Sequence, residues 1–205
     1  MKRLKKWIAI SAMVMAAQAS QAQDWVGPYA GGFVGINQNK MDWNPGGPTF
    51  LGLFASASAG GFAGYNWQNG SAIIGVEILA ETNHGSGSFT GVPGPGAANA
   101  TLKNAASLRA RFGAADGNRL TYMFVGLTRA QSEVEAVGFS TQSHTHSGFG
   151  LGLGYDVKFR DSMFLRTEFE HTKLADGNYE FCGFGCPATI SYSRNILRFG
   201  IGWEF

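Results

Sequence analysis

Residues 147–159 read Ser-Gly-Phe-Gly-Leu-Gly-Leu-Gly-Tyr-Asp-Val-Lys-Phe, "SGFGLGLGYDVKF". Phe149, Leu151, Leu153, Tyr155 and Val157 share one parity, and Gly148, Gly150, Gly152 and Gly154 the other. Strict alternation over this length is the signature of a strand, because successive side chains point to opposite faces. The opposite face carries almost no side chain, so whatever lies behind this strand needs room.

The same period recurs along the chain. In "MFLRTEFEH" (163–171) Leu165, Thr167 and Phe169 oppose Arg166, Glu168 and Glu170. In "ASLRARFGAA" (106–115) Leu108, Ala110, Phe112 and Ala114 oppose Arg109, Arg111 and Gly113. The closing "LRFGIGWEF" (197–205) sets Leu197, Phe199, Ile201, Trp203 and Phe205 against Arg198, Gly200, Gly202 and Glu204. Weaker members are "YAGGFVGIN" (29–37), "AGGFAGYNWQ" (59–68), "AIIGVEILAE" (72–81) and "RLTYMFVGLTRAQ" (119–131). Asn69-Gly70 is a two-residue hairpin signal, and "ADGN" (115–118) and "FRDSM" (159–163) mark two more tight connections.

Eight strands result, with short turns near 69–70, 116–118 and 160–162 and long loops at roughly 39–57, 82–104, 132–146 and 172–190. Short and long connections therefore fall at opposite ends, which is the habit of a transmembrane barrel. The polarity is inverted relative to a soluble fold. The face bearing Glu77, Arg109, Arg111, Arg166, Glu168, Glu170 and Arg198 is otherwise glycine-rich, and the other face is aliphatic and aromatic. Unpaired charges are costly in a dry core, but inside a narrow eight-stranded cylinder they can pair with one another. A water-soluble sandwich with solvated charges is the competing arrangement; it explains neither the loop asymmetry nor the terminal Phe205.

The front of the chain fits export. Lys2, Arg3, Lys5 and Lys6 precede an apolar run from Trp7 to Ala17, and Ser20-Gln21-Ala22 supplies a small-residue cleavage site. Residues 1–22 read as a signal peptide and 23–205 as the barrel domain, with cleavage after Ala19 as the nearby alternative. The run is too short to span a bilayer as a helix. The chain carries 16 Lys and Arg against 14 Asp and Glu, so losing four cations leaves a mature net charge of −2. No basic, aromatic-interleaved patch survives, which excludes nucleic acid as a partner.

The stretches "DWVGPYAGGFVG" (24–35), "GYNWQNG" (64–70), "IIGVEIL" (73–79), "LRARFGAA" (108–115), "GFGLGLGYDVKF" (148–159), "FLRTEFEH" (164–171) and "LRFGIGWEF" (197–205) resemble the small porin-like, opacity-type outer-membrane proteins, relatives of the OmpA transmembrane barrel. The resemblance implies a closed, all-β, eight-stranded antiparallel barrel in a Gram-negative outer membrane, monomeric, with structural or adhesive roles. It implies contact with outer-membrane lipid and lipopolysaccharide, with the barrel-assembly machinery and periplasmic chaperones, and with a host or surface ligand at the loops. Leu197, Phe199, Ile201, Trp203 and Phe205 resemble the C-terminal assembly signal of such barrels. Trp203 and Phe205 are expected in an aromatic girdle at the short-turn rim, with Trp25 and Trp67 beside them.

Several constellations leave alternatives open. The lumen charges form either a gate for a narrow ion or small-solute channel or a permanent plug. Cys182 and Cys186 suggest a disulfide in the last loop, since an exported chain meets an oxidising compartment. His144 and His146, with His84 and His171, are candidates for surface metal or haem capture, and His146 with Ser147 for a lipid A-modifying enzyme. Adjacency sends His146 and Ser147 to opposite faces, which favours solvated loop histidines and no catalytic or metal site. No cofactor is expected. The loop 41–58 is either an adhesive surface, with Trp43, Phe50, Leu51, Leu53 and Phe54 as anchors, or mobile cover over the barrel mouth.

Overall fold

The computed structural model describes residues 25–44, 46, 49–92, 96–139, 141–180 and 187–205. The proposed signal peptide and the Cys182–Cys186 pair lie outside the described residues. Ten strands are present: β1 (Gly27–Asn44), β2 (Phe50–Asn69), β3 (Ala72–His84), β4 (Ser86–Val92), β5 (Gly96–Asp116), β6 (Arg119–Ala136), β7 (Gln142–Arg160), β8 (Met163–Leu174), β9 (Gly177–Glu180) and β10 (Pro187–Glu204).

Eight of them form a ring in the order β1-β2-β3-β5-β6-β7-β8-β10, every neighbour antiparallel. Pairing of β1 with β10, from Tyr29↔Glu204 to Asn44↔Thr189, closes it. Closure removes both sheet edges, which matters because an apolar surround offers no partner for a free backbone N–H or C=O. The final residues are held by that seam, and the Phe205 amide donates to the Pro28 carbonyl at 3.0 Å. The tight turns carry the left-handed glycines Gly70 (φ 61°) and Gly117 (φ 57°), as two-residue hairpin loops require.

Outward side chains form an apolar belt that includes Val34, Ile36, Ile74, Val76, Ile78, Leu108, Phe112, Met123, Leu127, Phe149, Leu151, Leu153, Leu165, Phe169 and Phe199, all exposed. So large an exposed apolar surface contradicts the soluble sandwich. Tyr65, Trp67, Trp203 and Phe205 are exposed at the short-turn end of the belt. Trp25 is not; it is 1% exposed and packs inside the barrel mouth against Phe164, with ring centroids 5.9 Å apart. The girdle position expected for Trp25 is therefore wrong, because it precedes the first ring strand and folds across the opening.

The long connections differ more sharply from the sequence reading. Most of 39–57, 82–104, 132–146 and 172–190 is strand. Segments such as Ala55-Ser56-Ala57-Ser58-Ala59 lack apolar contrast between faces, so alternation could not reveal them. Beyond the belt β1, β2, β5, β6, β7 and β10 continue, and β4 and β9 pair onto β5 and β10. The extension has an apolar interior of Met41, Trp43, Phe54, Phe89, Val92, Leu102, Val134, Leu174, Ile190 and Tyr192. Trp43 and Phe54 are buried there and Phe50 half-buried, so of the five expected anchors only Leu51 and Leu53 are exposed.

Inward glycines make space for rings. A Cβ on Gly154 would lie 2.1 Å from the Tyr122 ring, and one on Gly152 or Gly202 would meet the Phe124 or Phe164 ring at 2.4 or 2.2 Å. Gly154→Val should destabilise the refolded barrel by about 1–3 kcal/mol through overpacking, read as an earlier urea midpoint; an unchanged midpoint contradicts this packing.

Candidate functional site

The ring brings inward positions of β3, β5, β7, β8 and β10 into one layer. Glu77, Arg109, Arg111, Arg166, Glu168, Glu170 and Arg198 all point into the lumen and are at most 2% exposed. Glu77 accepts from Arg166 at 2.5 Å and from Arg109 at 3.3 Å, and Arg111 lies at 3.6 Å. Arg109 also reaches Glu168 at 3.1 Å and pairs with Glu170, which accepts from Arg198 at 2.5 Å.

Three further charges complete the set. Asp156 accepts from Arg111 at 3.0 Å and from both Nε and Nη2 of Arg166 at 3.0 and 2.9 Å. Glu81 accepts from Arg198 at 3.0 Å and pairs with Arg194. The network thus holds five arginines and five carboxylates, net neutral. The strand parity signals all three: Asp156 alternates with Tyr155 and Val157, Glu81 sits four residues after Glu77, and Arg194 four before Arg198. They were missed because Glu81 ends the expected strand 72–81, Arg194 falls between the expected loop 172–190 and the closing strand 197–205, and Asp156 follows a run of four glycines on its face.

Aromatic side chains separate the charges. Tyr29 donates to Glu77 at 3.0 Å, and Tyr122 donates to Glu168 at 2.6 Å. Arg111 lies 3.8 Å from the Tyr122 ring centroid, Arg166 4.0 Å from Phe62 and Arg109 4.4 Å from Phe124. Guanidinium groups favour such faces because they are weakly hydrated and attracted by the ring quadrupole. Trp25, Tyr29, Phe33, Phe62, Leu120, Tyr122, Phe124 and Phe164 make one apolar cluster at the short-turn end. Toward the far end lies a layer of amides and hydroxyls, with Asn37 donating to Asn83 at 2.9 Å and Asn39 to Ser56 at 2.9 Å. The apolar interior of the extension lies beyond it.

The histidines divide. His144 and His146 face inward above the belt with ring centroids 5.0 Å apart, whereas His84 and His171 are exposed. Among the described residues no group of three or more His, Cys, Asp or Glu could hold a metal ion. His146 Nδ1 lies 2.8 Å from the Ala175 carbonyl, and Nε2 lies 3.0 Å from Ser132 Oγ and 2.9 Å from the Tyr179 hydroxyl. Donation by Nδ1–H leaves Nε2 an acceptor, and the Ser132 and Tyr179 hydroxyls, themselves 2.7 Å apart, share their two protons over the three contacts. Ser147, the sequence candidate, is exposed on the other face. Burial is the largest influence on His146 and lowers its pKa, with His144 adding to the depression against the opposing Ala175 carbonyl and Asp176 charge.

The outer membrane protein β-barrel domain model matches residues 7–205. The chain belongs to this family of outer-membrane β-barrel proteins. It is 26% identical over 229 residues to the 25 kDa outer-membrane immunogenic protein of Brucella abortus, covering all of both chains. It is also 26% identical over 148 residues to the 22 kDa outer membrane protein of Rhizobium leguminosarum, covering 70% of this chain and 64% of that one. The barrel superposes on the crystal structure of the outer membrane protease OmpT from Escherichia coli with a TM-score of 0.52 at 8% identity, covering 92% of this chain and 99% of OmpT, a likeness of fold alone. The exposed belt is accordingly the lipid-facing surface of a barrel in the bacterial outer membrane.

Two outcomes test the interior. Glu77→Gln leaves Arg109, Arg111 and Arg166 short of a counter-charge, and should cost about 3–5 kcal/mol in reversible urea unfolding from vesicles; a change within error contradicts the network. His146 is favoured neutral in the fold, so its contribution is full above the ordinary histidine pKa of about 6.5 and is lost as pH falls below that through its own depressed pKa. Amide exchange at Tyr179, corrected for intrinsic rate, should therefore quicken from pH 7.5 to pH 5, and His146→Gln should abolish that difference.

Proposed function

We propose that this protein is a closed structural barrel of the outer membrane whose extracellular extension presents a contact surface, and that it performs no covalent chemistry. The observation that carries the reading is the filled lumen: ten paired charges between two apolar clusters. A channel needs an aqueous path and a site weak enough for an ion to leave. Here every carboxylate of the layer already has an arginine partner, and rings lie between the pairs.

The channel reading loses support for the same reason. Opening a path would require moving several buried arginines away from carboxylates, at a cost of several kcal/mol for each charge left unpaired. The enzyme reading is disfavoured by access. The serine that meets His146 is Ser132, which is 0% exposed, and the exposed Ser147 points away from the imidazole. A substrate would reach one or the other but not a dyad.

The contact surface is supported by stiffness. The outward Leu51 and Leu53 and the exposed Val137 sit on paired strands or at their ends, not on free loops. Preorganised apolar positions lose little entropy on binding, which suits adhesion to a host or surface ligand. The outward face of β10, ending in Trp203 and Phe205, suits recognition by the barrel-assembly machinery before the seam closes.

Planar-bilayer recording of the refolded protein tests the reading. The expected result is no unitary steps from the wild type, and none from Arg111→Met once insertion is verified. Stable steps from the wild type that change with Arg111→Met would replace the plug with a gate.

A further inference from the structure

The belt is interrupted on one side. Across β2, β3, β5 and β6 one cross-strand row reads Gly61, Ala80, Ala106, Arg129. Three neighbouring outward positions thus carry nothing beyond a Cβ, over about 14 Å at ordinary strand spacing. The next row toward the periplasm is Ala63, Ile78, Leu108, Leu127, and the three large residues wall the depression. Together they shape an apolar groove of about 700 Å³ that ends at Arg129. Toward the extracellular side it runs into a second groove of about 580 Å³, where the exposed lining is polar: Thr82, Asn104, Gln131 and Thr145.

Arg129 is exposed, and no acid pairs with it among the described residues. The outward cation of the adjacent strand differs: Lys103 on β5 pairs with Glu133. The outward residues flanking Arg129 on its own strand and in its row are Leu127, Gln131, Ala106 and Ser147. A cation at the last apolar row, without a counter-ion and beside a depression, is complementary to a ligand that is anionic at one end and aliphatic along its length. The polar side lies outermost, so the anionic end faces the extracellular surface.

We propose that this groove is a specific site for a phosphorylated lipid of the outer leaflet, of the lipid A type. A lipid A phosphate accepts from the Arg129 guanidinium, with its sugar against the polar rim, and an acyl chain lies in the depression between Ile78, Leu108 and Leu127. Guanidinium suits this role because its planar fork meets a phosphate with two parallel hydrogen bonds. The small residues let the chain approach the sheet closely enough to gain dispersion contacts that bulk lipid lacks against a bulky face.

The experiment uses the refolded full barrel in phosphatidylcholine micelles or vesicles, titrated with bis-phosphorylated lipid A and read by native mass spectrometry. The wild type should retain one lipid A per barrel. Arg129→Gln should weaken retention about fivefold, as expected for one basic group at a lipid surface, and Ala106→Leu should weaken it by filling the groove with the charge intact. Arg160→Gln, which removes the same charge at the periplasmic end, should leave retention at the wild-type level. Folding of each variant is verified by heat-dependent gel migration. Equal retention by wild type and Arg129→Gln, an equal loss in Arg160→Gln, equal retention of dephosphorylated lipid A, or a second copy of the barrel in place of lipid would each overturn the proposal.

Discussion

Arg166 donates to Asp156 and Glu77 while its guanidinium stacks over Phe62, and Tyr29, Tyr122 and Phe164 lie within 5.5 Å of it. The rest of the barrel depends on arrangements of this kind. An eight-stranded ring has an interior of fixed width, only just wide enough for side chains. Its outside is committed to lipid, so polar groups that specify the fold must go inward. There they are short of water, and each must find its partner within the chain. Five arginines against five carboxylates achieve this, and Arg109, Arg111, Arg166 and Arg198 each offer a planar face to a ring and an edge to an oxygen. The interior is thereby specified pair by pair, and strand register is coupled to it: a one-residue slip would send Arg109 or Glu168 into lipid.

The same constraint explains what the sequence could and could not disclose. Within the belt the two faces differ maximally, lipid on one and ion pairs on the other. "SGFGLGLGYDVKF" and "LRFGIGWEF" therefore announce both strand and orientation. Past the belt the outer face meets water while the inner face turns apolar, with Met41, Trp43, Phe54 and Ile190. Small residues dilute the contrast, and proline and glycine content imitates loops. The aromatic half of the lumen was hidden for a related reason. Tyr29, Phe33 and Phe62 share parity with glycines, and a period-two pattern of large and small does not say which member faces lipid until charges break the tie.

The barrel consequently has an interior of changing chemistry along its axis. Rings and ion pairs fill the membrane layer, amides and hydroxyls follow, and an apolar core closes the extension. This last core rigidifies the part of the molecule that meets the cell's surroundings, and the Ser132–His146–Tyr179 cluster ties β9 to it. What would otherwise be four floppy loops becomes a walled platform.

The arrangement is tested most directly by its own tryptophans. Trp25 and Trp43 lie inside and Trp67 and Trp203 outside, so variants retaining one of these four, the others changed to Phe, can be refolded into bilayers containing brominated lipid. Strong quenching of Trp67 and Trp203 with negligible quenching of Trp25 and Trp43 is the predicted result. Quenching of Trp25 and Trp43 equal to that of Trp67 and Trp203 would contradict the inside-out assignment of the two faces.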